Sequence, residues 1–445
     1  MNIPENVTRI LNRLNENGFE SYVVGGCVRD MIMGKAPDDY DVTTNALPDE
    51  TEKVFQDYKT VSIGKKHGTI GVVTSEGIVE VTTYRIDGEY SDNRHPEKVE
   101  FTRNIKDDLS RRDFSVNAMA YDGEKIIDLF GGESDIQSGI IKCVGNPDQR
   151  FEEDALRIMR GLRFASVLDF KIDEATGNAM RTHRKLLHGI SAERICTELK
   201  KLLCGKNVKK ILLDYSEIIC EVIPELDKCV GFDQRNSHHC FDVYTHSVEA
   251  VSSCPVDVIT RFAAFFHDIG KPDCFSADDS GVGHFYGHSK ISAEKTALIL
   301  ERLKVSNAEK NVITELVLNH DREILCKNNA VKRFLGKVSA ECSKRIFDLK
   351  RADVLAQAPE YHSRIKDIDE IEAMAEDIVN SNQCVSVLQL AISGKDLIEL
   401  GVKPSKEMGI ILKKLLDKVI DGEVQNKREE LIEFYLKKSE MKKCE

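Results

Sequence analysis

The chain has no tryptophan, no C-x-x-C pair, no fixed-period repeat and no low-complexity tract. It also lacks any apolar run near the ~18–20 residues that a membrane-spanning helix needs. Each absence excludes something. The 13 cysteines are an odd and scattered set, which argues against a disulfide framework and a cysteine-type zinc site and for reduced, mostly buried thiols. The missing apolar run, with an N-terminus "MNIPENVTRI" that carries no signal-peptide pattern, leads us to expect a cytoplasmic protein with no membrane partner. A basic excess is missing too, since the net charge is −12. Nucleic-acid binders usually show a basic footprint, but phosphates respond to local patches rather than to the sum, so RNA stays open as a partner. What is present is globular: 41% hydrophobic and 31% charged over 445 residues, too long for one ordinary core.

Two styles of pattern divide the chain. "SYVVGG" (21–26) reads as a short buried strand ending in a glycine turn, and "GTIGVVTSEGIVEVTTY" (68–84) as a hairpin turning at "SEG". From about residue 146 the pattern is helical. "RFEEDALRIMRGLRFASVL" (150–168) and "AERICTELKKLL" (192–203) carry apolar residues at helical spacing. Breaks are expected near 145–150, 225–240 and 365–385, giving a mixed α/β head on a helical body.

The chemistry concentrates in the head. In "GGCVRD" (25–30) paired glycines after a strand let backbone approach a ligand closely, and Arg29 adds a fixed positive charge. In "DDYDVTT" (38–44) an extended chain puts Asp39 and Asp41 on one face, with Tyr40 and Val42 on the other and Asp38 a bystander. Two carboxylates near a phosphate-type turn suit Mg²⁺, which bridges carboxylates to substrate phosphates. Glu80 interrupts the apolar alternation of "IVEVTTY", opposite in face to Val79 and Val81. Beside the D-x-D strand it is a candidate third carboxylate, holding metal or activating a hydroxyl. On a continuous helix Asp154 and Arg157 are i and i+3 and face one way. Such a pair offers one acceptor beside one donor. Adenine and cytosine present the matching donor–acceptor edge, whereas guanine and uracil present the reverse.

GGxVRD, D-x-D, "RRDFSVNAMAYD" (111–122), "EDALRIMRGLRFA" (153–165) and "SAERICTELKKLL" (191–203), in this order, resemble the class II tRNA nucleotidyltransferases, the bacterial CCA-adding enzymes. The C-terminal "LAISGKDLIELGVKPSKEMGIILKKLL" resembles their tRNA-contacting tail. The resemblance implies an α/β, polymerase-beta-like head followed by all-α neck, HD and tail domains, with boundaries at 1–145, 146–230, 231–365 and 366–445. It implies template-independent addition of C, C and A to the tRNA 3′ end from CTP and ATP. The catalytic residues are then Asp39, Asp41 and Glu80, with Mg²⁺ on the two aspartates. The nucleotide-binding residues are Gly25, Gly26, Arg29, Arg111, Arg112, Asp113 (toward the ribose 2′-hydroxyl), Asn117, Asp154, Arg157, Arg160 and Arg163. "YRIDGEYSDNRHPEKVEF" (84–101) resembles the loop that helps turn the pocket from C to A specificity. "GKKHGTIGV" (64–72) keeps a GT form where the related poly(A) polymerases are arginine-rich. Addition of A alone, beside a separate CC-adding partner, stays open at this point.

A second set lies in the middle. His246 in "YTHSVEAV", His267 and Asp268 in "FFHDIGKP", and Asp353 in "RADVLAQ" resemble the ligand set of the HD metal-dependent phosphohydrolases. Lys271 follows the His-Asp pair, and His288 and His320 stand where a second metal is often held. A transition metal or Mg²⁺ is implied there. Two readings follow: a polymerase that also carries a hydrolase, or a hydrolase whose head only binds RNA.

Overall fold

A computed structural model of the chain describes residues 1–87 and 99–441. These fall into two compact units, 1–227 with 302–304, and 228–301 with 305–445. Most of the segment expected to switch base specificity, 88–98, lies outside the described residues. Among the described residues no helix is long and apolar enough to cross a membrane, and the cysteines are free and mostly buried.

The first unit opens with α1 (Glu5–Glu16), β1 (Ser21–Val24), α2 (Gly26–Ile32), β2 (Asp41–Thr44), α3 (Pro48–Val54), β3 (Thr60–Gly64), β4 (Thr69–Thr74) and β5 (Gly77–Thr83). It continues with β6 (Arg85–Asp87), β7 (Val99–Phe101), α4 (Ile105–Ser110), β8 (Met119–Tyr121) and β9 (Ile126–Asp128). Seven strands form one sheet in the order β3-β4-β5-β2-β1-β8-β9. Strands β4 and β5 make the expected hairpin. The β2–β5 pair is parallel and sets Asp41 opposite Glu80, while β1 runs antiparallel to β2 with Val24 opposite Asp41. Val23, Val42, Val79 and Val81 are buried. Their burial fixes the register, because a slip of one residue would turn every acid to the wrong face.

Helices follow. α5 (Gly132–Ser138), α6 (Pro147–Glu153), α7 (Leu156–Leu168), α8 (Glu174–His183) and α9 (Ala192–Leu203) carry the unit into its helical part. The single helix expected over 150–168 is two. Asp154 has extended backbone, φ −141° and ψ 102°, and its Oδ1 accepts from the Leu156 N–H at 3.0 Å. A short acid that satisfies an orphan amide at a helix start competes with helix continuation. Asp154 and Arg157 are therefore not on one helical face.

The second unit is almost all helical. Helices Val243–Ser253, Val258–Phe266, Asn307–Asn319 and Ile346–Leu355 pack on one another. Their buried faces are apolar: Phe262, Phe265, Ile313, Leu316 and Leu349. The boundary expected at 365/366 falls on the first turn of helix Arg364–Asn380. Beyond it Leu397, Leu415, Ile420 and Leu431 form a separate small core.

Candidate nucleotide and metal sites

In the first unit a cavity of about 580 Å³ gathers nearly all the residues singled out in the head. Gly25, Gly26, Arg29, Asp39, Asp41, Arg111, Arg112, Asp113, Asn117, Asp154, Arg157, Arg160 and Arg163 line it. Asp38, expected as a bystander, lines it as well. The loop into β2 starts before the strand, so period-2 alternation does not govern residue 38. Glu80 is not among the lining residues, but it is exposed beside Asp41 across the parallel pair.

Electrostatics show unmet negative charge at the strand pair. Burial raises the Asp41 pKa, Asp39 and Glu80 raise it further, and Arg112 only partly offsets them. Like carboxylates that disturb one another suit a seat for a hard divalent cation. Gly25 has φ +84°, and a Cβ there would sit 3.1 Å from the Arg112 guanidinium. Glycine is thus required for both the turn and the close approach.

The arginines are held in place by acids behind them. Asp108, missed in the sequence, is 0% exposed. Its Oδ1 accepts from Arg111 Nε and Nη2 at 3.0 and 2.8 Å, and its Oδ2 from Arg112 at 3.3 Å. Burial pushes its pKa up, but the two guanidinium groups outweigh burial and leave it lowered. Its signal was in the spacing, since Asp108 precedes Arg111 and Arg112 by three and four residues. Asp113 is not a free acceptor. Its Oδ2 takes the Arg160 Nε at 2.7 Å and its Oδ1 the Phe114 N–H at 2.9 Å. Asn117 Oδ1 accepts from Arg29 at 2.6 Å. Arg160 and Arg163 lie over the Phe164 ring at 5.4 and 3.8 Å, a cation–π stack that orients both.

Asp154 and Arg157 come together in the cavity by a different route from the expected one. Asp154 Oδ2 accepts from Arg194 at 3.0 Å. Arg157 donates to the carbonyl oxygens of Arg150 and Arg111 and to Glu153 at 3.1, 3.0 and 2.6 Å. Arg194 and Lys201 of α9 line the same cavity and were not singled out. Only the fold brings them within reach of residues some 40 positions earlier.

The second unit closes a denser cluster. His246 and His267 are 0% exposed, and Asp268 is 1% exposed. His246 Nε2 stands 3.1 Å from His267 Nε2, 3.3 Å from Asp268 Oδ2 and 3.0 Å from Asp353 Oδ1. On the other side of Asp268, Oδ1 lies 3.3 Å from His288 Nε2 and 3.6 Å from His320 Nε2. All four rings give their Nδ1–H to a backbone carbonyl, of Ala356, Ala264, Phe285 and Val317, at 3.1, 2.7, 2.9 and 2.6 Å. A carbonyl only accepts, so every neutral ring turns an Nε2 lone pair inward. Four lone pairs and two carboxylates so close together repel unless cations sit among them. Without one a proton takes its place. Burial works against a charged His267, yet Asp268 and Asp353 hold its pKa up at about 10. The donors form two trios that share Asp268: His246, His267 and Asp268, and Asp268, His288 and His320. Lys271 Nζ contacts Asp268 Oδ2 at 2.7 Å and donates to Gln234 Oε1 at 2.8 Å.

Comparison with known proteins places the chain. Residues 21–142 match the model of the poly A polymerase head domain. Residues 169–229 match the probable RNA and SrmB-binding site of polymerase A, and residues 283–435 match a putative tRNA nucleotidyltransferase domain 2. The chain is 34% identical to the CCA-adding enzyme of Ligilactobacillus salivarius, over 97% of this chain and 96% of that one. It is 32% identical to the CCA-adding enzyme of Streptococcus pyogenes, over 94% and 92%. Its fold is similar over the full length of both chains to the crystal structure of the Bacillus stearothermophilus CCA-adding enzyme in complex with CTP, at TM-score 0.72 and 25% identity. A Thermotoga maritima CCA-adding enzyme complexed with tRNA shares the fold at TM-score 0.60 and 20% identity.

Proposed function

This chain belongs to the family of CCA-adding enzymes, and from that premise we propose that it adds C, C and A to the 3′ end of tRNA from CTP and ATP. The observation that carries the reading is the cavity in which the Asp39/Asp41 pair, the arginine wall and Asp154 with Arg157 meet. Asp39 and Asp41 would hold Mg²⁺, with Glu80 as the third carboxylate of the seat. When bound, the ion lowers the pKa of the attacking hydroxyl and offsets the charge of the leaving pyrophosphate. Gly25 and Gly26 let the triphosphate approach the backbone. Arg111 and Arg112, held by Asp108, and Arg29, held by Asn117, set positive charge along it. The 3′-oxygen bonds to the α-phosphorus, the bond to the bridging oxygen breaks, and pyrophosphate departs. Asp113 acts through Arg160, which it fixes by ion pair, and its remaining acceptor capacity is for the ribose. Asp154 Oδ2 retains a second lone pair beside the Arg194 bond and can accept from a base amino group. Arg157 supplies the adjacent donor, so adenine and cytosine fit and guanine and uracil do not.

The decisive experiment supplies CTP alone and ATP alone to tRNA lacking its last three nucleotides and to tRNA lacking only the last. Full CCA addition gives two C on the first and one A on the second. Incorporation of A alone returns the A-adding reading.

We further propose that residues 231–365 form an HD phosphohydrolase domain between a helical neck, 146–230, and a tRNA-gripping tail, 366–445. His246, His267, Asp268 and Asp353 would hold a divalent transition metal or Mg²⁺, with His288 and His320 beside them. The inward lone pairs support this reading. Such a cation would turn water into a nucleophile at neutral pH, with the imidazoles as its ligands and Lys271 as a positive charge beside it. Elemental analysis of the purified protein and of His267→Ala checks it: metal in the former and none in the latter. If His267→Ala removes the principal activity while no nucleotide is ever incorporated into tRNA, the head is an RNA-binding module instead. We place both activities in the cytoplasm, where tRNA matures.

A further inference from the structure

The turn that leads into the metal cluster carries an aromatic pair that neither activity has used. Residues 283–287 run from a two-stranded ribbon, in which Ser276 pairs with His284, into helix His288–Arg302. Side chains alternate along it. Phe285 packs inward against Phe232 and Phe275, with ring centroids 6.5 and 5.8 Å away. His284 and Tyr286 therefore share the other side. Their rings are stacked, 5.5 Å between centroids and 9° between planes.

We propose that Tyr286, backed by His284, is a stacking platform for a nucleobase, so that the ester hydrolysed at the His–Asp cluster is a nucleoside phosphate, free or at the end of an RNA strand. This rests on the hydrolase reading above. Four observations carry it. Tyr286 is 80% exposed, so the outer face of its ring is open to a ligand. The platform is not loosely hung: Phe285 anchors it from behind, and His284 Nε2 is tied to Asp278 Oδ2 at 3.0 Å. Both rings line the same cavity, of about 290 Å³, as Lys271, His288 and Asp353. And the Phe285 carbonyl accepts the Nδ1–H of His288 at 2.9 Å, so the backbone between the two rings also orients a ligand of the cluster. Any base offers a π face, which makes a tyrosine platform tolerant of sequence but selective for a ring.

The test uses the full chain with Mn²⁺ and three esters: adenosine 3′-monophosphate, a short oligoribonucleotide ending in a 3′-phosphate, and ribose 5-phosphate, which has no base. Tyr286→Ala should raise KM for the two base-bearing esters about tenfold, leave kcat unchanged and leave ribose 5-phosphate unaffected. Tyr286→Phe should restore wild-type values. An effect on the oligoribonucleotide alone assigns the platform to RNA ends, and an effect on both assigns it to nucleotides in general. An unchanged KM, or an equal loss on all three esters, overturns the proposal. If wild type and His267→Ala hydrolyse none of them alike, the hydrolase reading fails separately. The platform is then judged by photo-crosslinking of 4-thiouridine 3′-monophosphate, mapped by mass spectrometry. A crosslink on the 283–287 turn upholds it, and crosslinks only elsewhere overturn it.

Discussion

The two acidic centres of this protein solve the same problem in opposite ways. In the head, carboxylates stand at the end of a strand pair, part-exposed, with guanidinium groups rather than neutral ligands around them. In the second unit, four imidazoles and a shared aspartate are closed in the interior, each ring locked by a backbone carbonyl. On the proposed reading the first would be an incomplete coordination shell that substrate phosphates finish, as Mg²⁺ sites commonly are. The second would supply its ligands from protein alone. A centre of the first kind would take its ion with the nucleotide, and one of the second kind would keep its ion through purification.

The largest expected effect breaks the head alone. Asp39→Ala with Asp41→Ala should lower CTP and ATP incorporation into tRNA by at least about 10³-fold, with metal content of the second unit unchanged. Equal loss of both would show that the centres are not independent. Next comes retention. After dialysis against a mild chelator, the metal of the second unit should persist and Mg²⁺ should not. Asp108→Asn should cost about 3 kcal/mol of head stability by removing the buried negative charge that two guanidinium groups face, read by denaturant unfolding. Its pH signature has a definite sign. A lowered carboxyl adds stability that is present above its unfolded pKa of about 3.9 and lost as pH falls through the folded value. The acid limb of the wild-type stability curve below about pH 4 should therefore flatten in Asp108→Asn. The smallest effect is Gly25→Ala, which forces a side chain into positive φ against Arg112. It should raise KM for nucleotides severalfold and cost about 1 kcal/mol of stability.

The contrast also explains what could be read from the chain. Alternation in "IVEVTTY" singled out Glu80, because strand geometry is local and has period two; in "DDYDVTT" only Asp41 lies in the strand, and Asp38 and Asp39 reach the cavity from the loop before it. The turn at Gly25 was legible for the same reason. The break at Asp154 was not. Apolar residues keep helical spacing across it, and the interruption comes from a cap to Leu156 and a bond to Arg194, far along the chain. Asp113 looked like a free ribose acceptor because nothing local announces Arg160 as its partner. The order of His246, His267, Asp268 and Asp353 suggested a cluster. That Asp268 is shared by two trios depends on helix packing that no spacing reports.

The parallel pairing of β2 with β5 has a consequence for how the head folds. Antiparallel neighbours such as β4 and β5 can zip up from a tight turn. Two parallel strands cannot, and the chain between Thr44 and Gly77 must first be gathered, at the entropy cost of a long loop, before Asp41 meets Glu80. The acidic seat is thus a late, non-local product of folding. A newly made chain would then carry its hairpin before it carries the Asp41–Glu80 pair.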